Sequence, residues 1–200
     1  MRTELDLANA ALAYLVRDRL RDLDGSDLAT VQMLGNLNTA KEEVIEAYDW
    51  FECRVVAALQ TPSDIDTRGW DYVYTAPGDL IKLWRVGPSR GTKSYPFELG
   101  MSDDILSDTL YIYSDYASAY ARYSSSRVSI GRFSATTFDL MALKLACLTC
   151  MPILKEVKML QFLQNTYSQK LSKAIVNATM SEPETIDVDF TPETIAVRSE

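Results

Sequence analysis

Apolar residues recur at helical spacing toward both ends of the chain and alternate in its middle, so the predicted order is helices, strands, helices. Between Leu5 and Arg21, Leu12, Leu15, Val16 and Leu20 fall near one helical face, with Arg17, Asp18, Arg19 and Asp22 mostly elsewhere. Asp24-Gly25-Ser26-Asp27 stops this helix and offers N-caps for the next. In the second helix Val31, Leu34, Leu37, Val44, Ile45 and Tyr48 keep close to a helical period, with Lys41, Glu42, Glu43 and Glu46 interleaved. The pair predicts an αα-hairpin. It runs into an aromatic junction, Tyr48-Asp49-Trp50-Phe51-Glu52-Cys53-Arg54.

After Leu59 the period changes. Thr61-Pro62-Ser63-Asp64 reads as a turn, and Trp70-Asp71-Tyr72-Val73-Tyr74 alternates like a strand. Ala76-Pro77-Gly78-Asp79 turns the chain into Leu80–Val86, a second strand ended by Gly87-Pro88. Tyr95, Phe97 and Leu99 alternate again. Thr109–Tyr113 and Ala119–Tyr123 predict a hairpin closed by a loop at Ser114–Ser118. A helix carrying Tyr116, Tyr120 and Tyr123 is the competing reading, and sparse helix formers favour strands.

Ser134 caps a third predicted helix with Phe138, Met141, Leu145 and Leu148, which Pro152 breaks or kinks. Beyond it Leu160, Leu163, Tyr167, Leu171, Ala174 and Ala178 form a seam on a long helix to about Met180. Pro183 ends that order, and Ile186, Val188 and Phe190 then alternate with Asp187 and Asp189. If the helical stretches pack together, the class is α+β: a discontinuous four-helix bundle of residues 1–52 and 133–180. A small antiparallel β-sheet domain, 53–132, is inserted, and an extended acidic tail, 181–200, follows.

Composition narrows the chemistry. A chain of 200 residues, 47% of them hydrophobic, can bury a core without disulfide or metal. The charge of −8 is uneven. The tail holds Glu182, Glu184, Asp187, Asp189, Glu193 and Glu200 against Arg198 alone. No basic stripe for phosphates is apparent in the sequence. No stretch reaches the ~20 apolar residues of a bilayer helix, and the N-terminus carries no signal-like cleavage pattern. A soluble protein made in a cytosol, with no membrane partner, is expected.

There is no histidine, which removes the commonest general base and metal ligand. Cys147-x-x-Cys150 lies near the end of its helix, where the dipole opposes a thiolate. Zinc needs about four ligands, and Cys53 is the only other thiol. Two small buried residues on one helical face is the better reading. Asp103-Asp104 could be paired acids for glycoside cleavage, but adjacent carboxylates in a turn are commoner. No catalytic residue, metal ligand or cofactor site is assigned, and no enzymatic activity is expected. Of the eleven tyrosines, Tyr72, Tyr74, Tyr95, Tyr111, Tyr113, Tyr120 and Tyr123 fall in the β region. Tyrosine suits interfaces; a sheet with one core face and one amphipathic face explains them equally.

Five segments in this order resemble one family, the tail tubular A proteins, the head–tail adaptors of short-tailed bacteriophages. "ALAYLVRDRLRDLDGSDLATVQMLGNLNTAKEEVIEAYDWFECRVVAAL" resembles the family's helix–turn–helix, its Trp-Phe junction and its alanine-rich continuation. "YVYTAPGDLIKLWRV" is similar to its Pro- and Asp-led strand, and "TLYIYSDYASAYARY" to its β-hairpin. "FSATTFDLMALKLACLTC" is similar to its Phe-led helix, which a long last helix follows. The resemblance spans about Ala8 to Ala178; Cys147, Cys150 and Pro152 depart from the usual Ala/Gly-rich helix end.

It implies a structural virion protein at the head–tail interface, made in the host bacterial cytoplasm. Twelve copies would form a ring between portal protein and tail nozzle, with double-stranded DNA passing its lumen without sequence-specific binding. The tail residues Ile186, Val188 and Phe190 would contact portal. Tyr72, Tyr74, Tyr111 and Tyr113 are the expected nozzle or inter-subunit contacts. The rival readings are a virion-associated cell-wall hydrolase using Asp103 or Asp104, and a cytosolic helical module binding a small ligand.

Overall fold

The computed structural model describes residues 2–62, 66–89, 93–101 and 109–181. It is a mixed α+β fold with four α-helices and two three-stranded antiparallel sheets among the described residues. Asp103 and Asp104 lie outside the described residues, as do Ile186, Val188, Phe190 and the expected helix stop at Pro183.

Helix α1, Glu4–Tyr14, opens on a capping box in which Thr3 and Asp6 satisfy each other's backbone N–H. It ends well short of the expected Arg21. Val16 takes a left-handed φ of 54° and is 82% exposed, so it leaves the predicted core face. Asn9 holds the chain that doubles back: its Oδ1 accepts from Leu20 N at 2.7 Å and its Nδ2 donates to Leu20 O at 3.1 Å. The side-chain amide takes over the backbone pairing that a longer helix would have made.

Helix α2, Leu28–Ala47, is capped by Asp27, one of the residues in the Asp24–Asp27 stretch that the sequence offers as caps. Its buried stripe is Thr30, Met33, Leu37, Ala40, Val44 and Ile45, while Val31 and Leu34 are exposed. Leu37, Val44 and Ile45 are buried as predicted, and Thr30, Met33 and Ala40 complete the stripe in place of Val31 and Leu34. Helix α3, Ala135–Leu154, starts at the predicted cap, Ser134. Pro152 lies inside its last turn, and the helix ends at Lys155, whose φ is 56°. Proline costs α3 one hydrogen bond without breaking it.

By length and composition α3 could cross a membrane, with a mean hydropathy of 1.6, contrary to the expectation that no stretch could. Nine of its residues are buried, and it packs against α1, α2 and α4, so core burial accounts for its apolar character. Helix α4, Val157–Ser181, presents the predicted seam, with Leu163 and Ala174 buried and Leu160, Tyr167, Leu171 and Ala178 half-buried. All four helices contribute to one hydrophobic cluster.

The strands are β1 Arg54–Ala58, β2 Tyr72–Thr75, β3 Leu80–Gly87, β4 Phe97–Met101, β5 Leu110–Ser114 and β6 Tyr120–Ser125. Strand β1 falls at the start of the predicted β region, 53–132, but no strand of its own is among the predicted elements. The single small sheet expected is two, with orders β1-β6-β3 and β2-β5-β4. The predicted hairpin is also corrected. Strands β5 and β6 exist but lie in different sheets, β5 between β2 and β4 and β6 between β1 and β3.

The connection does not fold back on itself. Ser118, with φ 53°, turns the chain away, Tyr74 Oη donates to Tyr116 O at 2.6 Å, and Leu59 N donates to Ala119 O at 2.9 Å. Residues of both sheets share one buried cluster, Tyr74, Leu83, Val86, Ile112, Ala119, Ala121 and Tyr123. The alanines leave room for the tyrosines.

Candidate interaction surface

The junction between α2 and β1 joins the helices to the sheets. Trp50 is buried, donates Nε1–H to Val44 O at 2.7 Å and meets Tyr48 edge-on at 5.1 Å. Asp49 accepts from Arg54 Nε at 2.9 Å and from Arg122 Nε at 2.5 Å, so one carboxylate bridges the end of α2, β1 and β6. Glu52 Oε1 accepts from Ser134 N and Thr137 Oγ1, both at 3.1 Å, placing negative charge at the N-terminus of α3. Lys82 Nζ donates to Glu46 O at 2.9 Å, and Lys41 Nζ to Ser126 O at 2.9 Å. Burial holds the Lys41 ammonium below the usual lysine value.

An open cavity of about 400 Å³ sits beside this junction. Its walls include Tyr48, Phe51, Glu52, Arg54 and, from α4, Asn177 and Ala178. Phe51 is 72% exposed there. Tyr48 Oη and Thr179 Oγ1 are 3.1 Å apart, so the end of α4 lies against the junction.

The outer face of the β1-β6-β3 sheet carries a second feature. Register pairs Arg54 with Ser124, Val56 with Arg122 and Ala58 with Tyr120, so these side chains share a face. Strand β3 adds Lys82, Trp84 and Arg85 beside them: Lys82 pairs with Ser124 and Arg85 with Arg122, while Trp84 Nε1 donates to Ser124 Oγ at 2.8 Å. Lys82 Nζ lies 4.5 Å from the Trp84 ring centre. Arg54, Lys82, Arg85 and Arg122 thus share one side of the sheet, with Arg85 buried and Arg54 and Arg122 half-buried and ion-paired to Asp49. The sequence reading found no such stripe, because its members are spread over nearly seventy positions and only register gathers them.

The predicted contact tyrosines divide sharply. Tyr74, Tyr111 and Tyr113 are 1%, 8% and 2% exposed, whereas Tyr72 is 37% exposed. Tyr111 and Tyr113 share a small cluster with Val73 and Trp70, and Arg68 lies 5.4 Å over the Tyr113 ring. Tyr74, Tyr111 and Tyr113 fill the chain's own interior, and Tyr72 alone of the four is accessible.

The cysteines are chemically quiet: Cys53 is buried within the junction itself, and Cys147 and Cys150 lie on α3. Burial pushes the Cys53 and Cys147 thiols up to about 11, and raises Cys150 as well. Raised thiols are poor nucleophiles at neutral pH. Among the described residues no group of three or more His, Cys, Asp or Glu side chains is placed to hold a metal. Where α1, α3 and α4 meet, Tyr14 Oη donates to Asp139 Oδ1 at 2.5 Å, and Lys170 Nζ donates to both. Hydrogen bonds to Asp139 and Tyr14 raise the Lys170 value, and burial raises Tyr14, so this cluster keeps its protons and ties α1, α3 and α4.

No family model matches the chain, and no curated protein matches it.

Proposed function

We propose that the chain is a structural virion protein: a head-to-tail adaptor whose copies form a ring, twelve in number, between portal protein and tail nozzle. In this reading residues 1–52 and 133–180 make one discontinuous helical bundle, residues 53–132 are an inserted β region, and residues 181–200 are an extended tail. Double-stranded DNA passes the lumen without sequence-specific contact, and the work is done without chemistry on any substrate. The observation that carries the reading is the arrangement of cores. The helices before and after the strands share one cluster, while the strands bury clusters of their own. A rigid helical unit with a projecting β unit gives two separate surfaces. Heterologous contacts between such surfaces close into a ring when the rotation per subunit closes.

The test is detection by mass spectrometry in purified phage particles, with imaging of the purified protein alone and with portal. Rings seated on portal are expected. Absence from mature particles, or turnover of a substrate by the lone folded chain, overturns the proposal.

One observation favours a second reading, a ligand-binding module: the cavity beside Phe51 has the volume of a small-molecule site. A stable monomer whose melting temperature rises with a small ligand, and falls back in Phe51→Ala, would support it.

A further inference from the structure

Strand β1 ends its sheet. Leu59 N donates to Ala119 O and Ser125 N to Cys53 O, each at 2.9 Å, so the odd-numbered residues of β1 bond to β6. By the alternation of an antiparallel ladder, the N–H and C=O groups of Val56 and Ala58 point to the open side. Among the described residues no strand pairs with Val56 or Ala58 there, and Val56 is 46% exposed; the open stretch ends at Gln60, whose O accepts from Thr75 N of β2 at 2.9 Å. The edge lacks proline, lysine and a bulge, the usual guards against pairing with another chain. Its two faces differ. Val55 and Ala57 pack on the inner cluster, and Arg54, Val56 and Ala58 share the outer face with Arg122.

We propose that residues 185–190 of a second copy add to this edge as a further strand. The segment Thr185-Ile186-Asp187-Val188-Asp189-Phe190 alternates in phase with those faces. Ile186, Val188 and Phe190 fall on the inner side beside Val55 and Ala57. Asp187 and Asp189 fall on the outer side beside Arg54 and Arg122, two cations that share the single carboxylate of Asp49, so that these three groups carry one positive charge in excess. Main-chain bonds supply affinity and the two faces supply specificity, as in β-strand addition generally. Its six residues suit a strand of five, and the net charge of the last twenty residues is opposite to that of the face. Pairing of β1 with β1 of another copy is disfavoured, because it would set two faces of excess positive charge side by side. The choice of a second copy rests on the ring reading, and it replaces the portal contact that the resemblance implies for Ile186, Val188 and Phe190. A chain of such additions, tail of one subunit on sheet of the next, is the heterologous contact a ring requires.

The test uses full-length protein. Ala58→Cys in one chain, carrying a mass tag, is mixed with Asp187→Cys or Asp189→Cys in another and gently oxidised. Lys173→Cys on exposed α4 serves as the control, and circular dichroism confirms folding. The native thiols are buried or, for Cys147, half-buried, and all three are raised; a parallel sample with Cys147→Ala keeps that thiol out of the reaction. At least tenfold more mixed disulfide than control is expected, falling to control level in Val56→Pro, which blocks the open edge without removing a ladder bond. Three results overturn the proposal: Ala58–Ala58 dimers in excess, cross-linking only within one chain when both cysteines share it, or no excess over control. Imaging the same samples keeps the two readings separable. Portal-seated rings without the cross-link leave the adaptor reading standing, and the cross-link in a protein absent from virions leaves this inference standing without it.

Discussion

The helices and the sheets of this chain solve the same burial problem with contacts of different range. In the helices, one buried stripe per element meets its neighbours, and the stripes repeat within the sequence at short spacing. In the sheets, partners are distant: β1 pairs with β6 and β2 with β5. Consecutive β5 and β6 do not pair at all. The difference teaches where each region is vulnerable. A helix keeps its local pattern when a neighbour is lost, whereas a strand loses both its hydrogen bonds and its face.

The sharpest way to test that contrast is deletion in each core. Tyr113→Ser should cost about 3 kcal/mol, by removing a buried ring. Leu145→Ala, at a fully buried position of α3, should cost a similar ~3 kcal/mol. Hydrogen exchange distinguishes the two. Tyr113→Ser should release amides of β2, β4 and β5 first, and Leu145→Ala amides of all four helices. If both variants release the same amides together, the two regions are one cooperative unit.

Next comes the tie between the regions. Asp49→Asn leaves Arg54 and Arg122 facing a neutral amide at a nearly buried position and should cost about 2 kcal/mol in chemical denaturation. Loss below about 0.5 kcal/mol would mean that apolar contacts of Trp50, Ile81 and Val128 hold the regions together unaided.

Acid should weaken both regions, through different carboxylates. Hydrogen bonds from Ser125 first, and from Tyr123, hold Asp79 below the usual value in the sheets. Bonds from Thr3 do so for Asp6, and from Thr30 for Asp27, at the helix starts. A depressed folded value contributes stability above the unfolded value of about 3.9 that is lost as pH falls through the folded one. Melting temperature should therefore drop below about pH 4, and Asp79→Asn should flatten that drop for sheet probes while helix probes keep it. At the alkaline end the sign reverses. Cys147 is raised from 9.0 to about 11, so its stabilisation is intact below pH 9.0 and lost toward about pH 11.

The smallest effect sharpens the comparison most cheaply. Tyr72→Ser should change stability by no more than about 0.5 kcal/mol, because its ring is the exposed one of the four. A cost near that of Tyr113→Ser would mean that Tyr72, stacked 6.4 Å from Tyr74, belongs to the core.

By itself the sequence determined the class, the capping residue Ser134, the stretch that holds the cap Asp27, the seam of α4 and five of the six strands. Each is written in residues a few positions apart: a side chain next to the N–H it caps, a stripe at helical spacing, an alternation over one strand. It also suggested the alternation of residues 186–190, though not the edge this could join. Tertiary structure alone decided where α1 stops, since Asn9 captures Leu20 eleven residues away. It decided that "RVVAA" is a strand, because β6 offers a partner that a helix could not use. It decided which tyrosines are core and that four distant cations share one face. Those outcomes depend on strand register, a relation between residues far apart in the chain that no local period encodes.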